Sequence, residues 1–134
     1  MKERTRKPLP RIDLPSVGID LVEVDRIARL AESKRFRKRV FTEEELADCS
    51  KRSFPERSLA ARFAAKEATA KALGTGIGRN LAWKDVEVTT KPGKRPQIRL
   101  HGKWAQKQFR ISVSITHTRT TAAAVVMILD GSNL

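Results

Sequence analysis

Ser58-Leu59-Ala60-Ala61-Arg62-Phe63-Ala64-Ala65-Lys66-Glu67-Ala68-Thr69-Ala70-Lys71-Ala72-Leu73-Gly74 is the stretch on which the fold turns. Alanine is the strongest helix former, and Leu59, Phe63 and Leu73 supply larger anchors, so residues 58–73 read as a helix. Gly74 follows where a residue with positive φ would end it. The charges fall into two couples, Arg62 with Lys66 and Glu67 with Lys71, each four apart and so on a shared face. Such spacing ordinarily marks solvent-facing pairs. The alanines alter the setting, because a helix with so little side-chain bulk lets a large ligand approach closely. One acid amid three bases also suits a metal–phosphate site, where Mg²⁺ takes one or two protein carboxylates and phosphates supply further oxygens. Both readings stand at this point.

Working outward, Val17-Gly18-Ile19-Asp20-Leu21-Val22 is a short β-branched run, and so a strand interrupted by one carboxylate. A buried Asp20 costs several kcal/mol unless paired or metal-bound. Its plainer reading is a solvent-facing strand position or a helix cap. A helical stripe of Val24, Ile27, Ala28 and Ala31 follows from Glu23, and a basic stretch runs from Arg26 to Arg39. Thr42-Glu43-Glu44-Glu45 reads as a capping box opening a short helix. Beyond the central helix, Gly74-Thr75-Gly76-Ile77-Gly78 offers backbone N–H groups of the kind that cradle phosphate. Its place at a helix C-terminus, where the dipole disfavours anions, equally makes it a helix stop. Residues 85–89 and 97–101 alternate about Pro92-Gly93-Lys94 as a hairpin. A helix over 102–109, a strand over 111–116 and a last strand over 122–129 complete the chain. The last is apolar throughout and belongs in the middle of a sheet. The class is α+β, with helices packed on a mainly antiparallel sheet. A basic arm with three prolines, residues 1–16, precedes one domain over 17–134.

Composition narrows the partners. The 134 residues are 40% hydrophobic and 32% charged, as suits a soluble globular protein with a single modest core. No apolar run approaches the roughly 20 residues needed to span a bilayer. The basic start leads into no apolar signal region, and a lone Cys49 can form no internal disulfide, so a cytoplasmic protein is expected. The net charge of +13 calls for a polyanionic partner: nucleic acid, an anionic membrane surface, an acidic protein or a phosphorylated ligand. Nucleic acid is disfavoured, because aromatics are 5%, Tyr is absent, and no recognition-helix or zinc-finger pattern occurs. Ser114-Ile115-Thr116-His117-Thr118 ends a strand with hydroxyls and a histidine. It follows no nucleophile-elbow pattern. His117 fits a polar strand terminus as well as a donor to phosphate or adenine.

Three blocks taken together resemble the holo-acyl-carrier-protein synthase branch of the phosphopantetheinyl transferases. They are Gly18-Ile19-Asp20 with Arg26-Ile27, Arg62 to Ala68 with Lys71-Ala72 and Gly74 to Gly78, and Val113 to Thr118. Their order and separations match the family, and the likeness covers residues 17–129. It implies a Mg²⁺-dependent transfer of 4'-phosphopantetheine from coenzyme A to a serine of an apo acyl carrier protein, in fatty acid or polyketide biosynthesis. Adenosine 3',5'-bisphosphate leaves. Asp20 and Glu67 are implied as metal ligands, and Glu67 and Lys71 as catalytic. Arg62, Lys71, Gly74, Gly76, His117 and Thr118 are implied for coenzyme A. The serine proton is left open between Glu67 and a metal-bound water. The implied partner is an acidic carrier protein docked on the first helix, with Arg26 placed by position and Arg35 and Arg39 by charge. The family is also typically a homotrimer with sites at subunit interfaces.

Overall fold

The computed structural model describes residues 14–131; residues 1–13, most of the expected arm, lie outside the described residues. Ser16, assigned to that arm, already belongs to the first strand. In chain order the elements are β1 (Ser16–Glu23), α1 (Val24–Leu30), α2 (Lys34–Val40), α3 (Glu43–Ser50) and α4 (Pro55–Leu73). After them come β2 (Val86–Thr89), β3 (Gln97–Leu100), β4 (Phe109–His117) and β5 (Thr121–Asp130). Every ladder is antiparallel. One sheet has the order β1-β5-β4, with the all-apolar last strand at its centre as expected, and β2-β3 form a separate hairpin.

Helix α4 is the axis of the molecule. It begins at Pro55, earlier than alanine content alone indicates. Proline suits that first turn because its missing N–H would have no helical partner. Gly74 ends it at φ 76°, a conformation open to glycine without a Cβ clash. Residues 60–66 are all buried, as are 68–70 and 72, so between Ala60 and Ala72 α4 is open only at Glu67 and Lys71. A helix covered all round has to sit inside the fold. The sheet covers one side, and α1, α3 and β2 cover others. Gly18 permits the closest approach: a methyl group there would overlap the Ala68 carbonyl. Phe63 on α4 anchors the aromatic part of the core, its ring 4.7 Å from Trp83 and 6.3 Å from Phe36.

Strand β1 inverts the usual arrangement. Gly18 and Val22 are buried beneath α4 with Asp20 between them, whereas Val17, Ile19 and Leu21 point outward, Leu21 being 69% exposed. Val125 and Met127 on β5 continue this outward apolar face. Two sequence expectations change. The basic stretch is broken into two helices, because Ser33 caps α2 by accepting from the Phe36 N–H at 3.3 Å. Arg37 locks the junction, donating to the carbonyls of Ala31 at 2.5 Å and Glu32 at 3.1 Å. The expected helix over 102–109 is only a 3₁₀ turn, Gly102–Trp104. Phe109 instead pairs with Asp130 as the first residue of β4.

Candidate active site

The open edge of α4 faces Asp20. On β1 this residue lies opposite Ala124 of β5, which in turn lies opposite Ile115 of β4. All three occupy the helix-facing side of the sheet, since residues in register share a face. Lys71 Nζ donates to Asp20 Oδ1 at 3.2 Å and to the Ile19 carbonyl at 3.0 Å. Asp20 Oδ2 is buried and has no hydrogen-bond partner. Glu67, one helical turn before Lys71, is half-buried. Burial pushes its carboxyl above the usual glutamate range and the Asp20 charge pushes it further, against the opposing pull of Lys71 and Arg26.

Two carboxylates that repel one another, one with a buried and unsatisfied oxygen, form an electrostatically incomplete arrangement. A hard divalent cation would complete it. Among the described residues no group of three or more His, Cys, Asp or Glu could hold a metal ion. The two carboxylates Asp20 and Glu67 are a sparse, all-oxygen donor set, the kind that suits Mg²⁺, which keeps waters and takes further oxygens from phosphates. The residues present fit that ion.

Glu67 opens onto a cleft of about 440 Å³ lined also by Arg39, Ile77, Gly78, Ala82 and Trp83. Arg39, expected at a docking surface, thus shares a cleft with the catalytic candidate. Arg26 is exposed on α1 and near enough to Glu67 to act on its charge. Arg35 is exposed on α2. A slightly larger cleft, about 460 Å³, lies between β3 and β4, but it is lined by Arg99, His101 and Lys107 without a carboxylate. It offers nothing for a metal.

The other charged couple of α4 is enclosed. Arg62 is 2% exposed and ion-paired to Asp48 of α3, which Arg52 also engages at 3.1 Å. Arg62 is expected at the nucleotide, and here α3 brings up a carboxylate that draws it inward. Lys66 is wholly buried against Glu45, with Nζ to Oε1 at 2.8 Å. Burial lowers its affinity for the proton, and Glu45 works against that. The glycine segment takes the helix-stop form of its two sequence readings. The N–H of Gly74 goes to Lys71 O at 3.1 Å, and those of Thr75 and Gly76 go to Ala70 O at 3.2 and 3.3 Å. Gly74 and Gly76 therefore spend their donors on the last carbonyls of α4, and the segment is a helix stop whose Gly78 walls the cleft.

His117 and Thr118 stand apart. His117 pairs with Ala122, which faces Val22, so it shares the sheet side of Asp20 but lies two strands across and two residues along, about 12 Å by ordinary strand geometry. Its ring is exposed. The Thr118 hydroxyl accepts from the N–H of Thr120 at 3.3 Å and of Thr121 at 3.1 Å, holding the β4–β5 turn. Sequence reasoning missed Trp83 as a cleft wall and Glu45 as the partner of Lys66. A tryptophan soon after the glycine segment was a signal for the first; the capping box concealed the second.

Known proteins carry the same pattern. Residues 16–126 match the sequence model of the 4'-phosphopantetheinyl transferase superfamily. A holo-[acyl-carrier-protein] synthase of Moorella thermoacetica is 44% identical over 117 residues, 83% of this chain and 91% of that one. That of Chlorobaculum parvum is 40% identical over 114 residues, covering 84% and 96%. The crystal structure of the Bacillus anthracis holo-(acyl-carrier-protein) synthase, in complex with CoA (3',5'-ADP), superimposes with a TM-score of 0.74 at 32% identity, covering 86% and 96%. With its two carboxylates, its cleft and its topology in that company, the chain belongs to the 4'-phosphopantetheinyl transferase superfamily, among the holo-[acyl-carrier-protein] synthases.

Proposed function

We propose that this protein moves the 4'-phosphopantetheine arm of coenzyme A onto a serine of an apo acyl carrier protein, with Mg²⁺ held by Asp20 and Glu67. The observation that carries the reading is the unsatisfied buried oxygen of Asp20, set against Glu67 at the one open edge of α4. Bound there, Mg²⁺ supplies charge neutralisation and polarisation of the phosphoryl group. The carrier serine oxygen bonds to the β-phosphorus as the bond from that phosphorus to the bridging oxygen breaks. Adenosine 3',5'-bisphosphate leaves with the electron pair. Glu67, the carboxylate on the cleft, is the acceptor we assign for the serine proton. Lys71 offers an ammonium group beside Asp20, where it offsets the negative charge gathered on the leaving group. His117 and Thr118 are our candidates for the nucleotide end, which the long coenzyme A molecule would carry away from the two acids.

The exposed cations give the carrier a landing surface. Arg39 on α2 lines the cleft of Glu67, Arg26 on α1 acts on its charge, and Arg35 stands exposed one turn before Arg39; an acidic carrier protein complements them. The outward apolar face of β1 and β5, with Ile19 66% exposed, supports a homotrimer in which copies cover one another there. Size-exclusion chromatography with light scattering reads that directly: Ile19→Lys should release monomers, and a monomeric wild type would refute the trimer. No helix among the described residues is long and apolar enough to cross a membrane, and Cys49 is free and buried. We place the activity in the cytoplasm on the free thiol, which suits a reducing compartment.

Intact-mass spectrometry tests the reaction. An apo carrier incubated with this protein, coenzyme A and Mg²⁺ should gain the mass of one phosphopantetheine arm, and chelation of the metal should prevent it. A carrier unchanged in mass under saturating Mg²⁺ would refute the reading.

A further inference from the structure

Lys66 is the sequence neighbour of Glu67, yet its side chain is absent from the cleft surface: it is 0% exposed. Its ammonium has three partners, Glu45 Oε1 at 2.8 Å, the Trp83 carbonyl at 3.1 Å and the Val86 carbonyl. Glu45 is fixed in turn by the N–H of Thr42 at 2.9 Å and of Val88 at 3.0 Å. The Thr42 hydroxyl donates to Glu87 Oε2 at 2.7 Å, and the other Glu87 oxygen meets His101 Nε2 at 3.1 Å. One buried cation thereby ties α4 to the backbone of residues 83–86, and one buried anion ties it to α3 and β2.

That backbone matters because Ala82 and Trp83 wall the cleft that Glu67 opens onto. Burying an ion pair is a poor means of gaining stability, since apolar residues of similar volume commonly do as well or better. What the pair adds is direction. Three acceptors around one ammonium fix where the segment runs, whereas apolar contact permits it to slide. The Trp83 ring packs on Phe63 at 4.7 Å, but ring packing alone does not set the path of the main chain.

We propose that Lys66, with Glu45 as its counter-charge, is a positioning residue that sets the separation between the Trp83 wall and Glu67, and so the fit of coenzyme A in the cleft. The coenzyme A part rests on the transferase reading above. The clamp acts on the wall and not on the two carboxylates, which the sheet and the Gly18 crossing hold. Loss of the clamp should therefore weaken binding more than it slows the chemical step.

The test is the double variant Lys66→Met/Glu45→Gln, which removes both buried charges together. Circular dichroism and a cooperative melt establish folding. The KM for coenzyme A should rise about tenfold while kcat stays within about threefold, the signature of lost binding and not of lost transition-state contacts. In a Trp104→Phe background, acrylamide quenching of Trp83 without ligand should rise about twofold, as expected of a wall that opens locally. Lys66→Gln/Glu45→Gln keeps an amide donor for one carbonyl and should fall between, with KM raised about threefold. A folded Met variant with native KM overturns the proposal, as does a Gln variant no better than the Met one. So does a parallel loss of kcat and kcat/KM that tracks the lost folded fraction. Should the Met variant fail to fold, the Gln variant decides: raised KM and quenching support the clamp, and native values of both overturn it. A wild type inactive on any carrier would overturn the transferase reading and the coenzyme A part, while Trp83 quenching still judges the clamp itself.

Discussion

Helix α4 carries two couples at the same i,i+4 spacing, the like-charged Arg62 with Lys66 and the oppositely charged Glu67 with Lys71, and they have opposite fates. The first is enclosed and charge-paired: α3 brings Asp48 to Arg62, whose Nε keeps no hydrogen-bond partner, and Glu45 to Lys66, and the carbonyls of Trp83 and Val86 take the remaining hydrogens of Lys66. The second is open and incomplete. Lys71 bonds to Asp20 of β1, Glu67 is left partly buried against the same Asp20, and one Asp20 oxygen has no partner. The difference teaches that helical spacing fixes which residues share a face but not what that face meets. Buried charges that find counter-charges within the fold build structure. A pair left incomplete beside a cleft is where a ligand can supply what is missing.

The comparison breaks most sharply by substitution on the open side. Asp20→Ala and Glu67→Ala should each reduce carrier modification by about 10²-fold or more, the scale of losing one preorganised electrostatic contact. Thermal midpoints should stay level or rise slightly, because each change relieves carboxylate repulsion; a large fall in midpoint would make the open couple structural after all. On the enclosed side, Lys66→Met alone leaves Glu45 as an uncompensated buried charge and should cost about 3–5 kcal/mol in urea unfolding. A loss under about 1 kcal/mol would show that the enclosed pair is dispensable to the fold.

Gly18→Ala probes the joint between the two sides, since its new methyl group meets the Ala68 carbonyl. We expect a loss of about 1–3 kcal/mol from overpacking, accompanied by reduced activity as β1 and Asp20 move off α4. Full activity in a folded variant would mean that this crossing does not set the site.

The smallest effect concerns acid. Burial alone would raise the Glu87 carboxyl, but the hydrogen bonds from Thr42 and His101, with the charges of His101 and Lys66, outweigh it and leave it below the ordinary value of 4.5. A depressed carboxylate contributes its stability in full above its unfolded value and loses it as pH falls through the folded one. Thr42→Val removes one of these donors and lets the folded value rise toward the unfolded one, so the acid-dependent loss should be smaller and complete at a higher pH. Stability should also fall by about 1 kcal/mol at neutral pH. Urea midpoints over about pH 3 to 6 read both effects; identical curves for variant and wild type would remove Thr42 from the network.

Much of this was legible in the sequence where a local rule decided the matter. Gly74 as the stop of α4, Thr42 with Glu45 as a capping box and the apolar 122–129 run as a central strand all follow from short-range chemistry. The short β-branched run also marked β1 as a strand. It did not say which face α4 covers, so Asp20 could not be told from a solvent-facing carboxylate until Gly18 was seen against Ala68. The inward turn of Arg62 depended on Asp48, fourteen positions away on another helix. Helix α2 was hidden because its apolar residues are few, Phe36 and Val40, among five cations. Long-range partners decide such cases, and a single sequence does not display them.

The central claim is that the open couple and Asp20 form the metal site while the enclosed couple is structural. It is tested most directly by the Mg²⁺ dependence of carrier modification, followed by intact mass, in wild type, Asp20→Ala, Glu67→Ala and Lys66→Gln/Glu45→Gln. The account predicts saturable activation by Mg²⁺ in the wild type and in the last variant with an unchanged midpoint, and none in the two alanine variants. Wild-type rates in either alanine variant under saturating Mg²⁺ would contradict it.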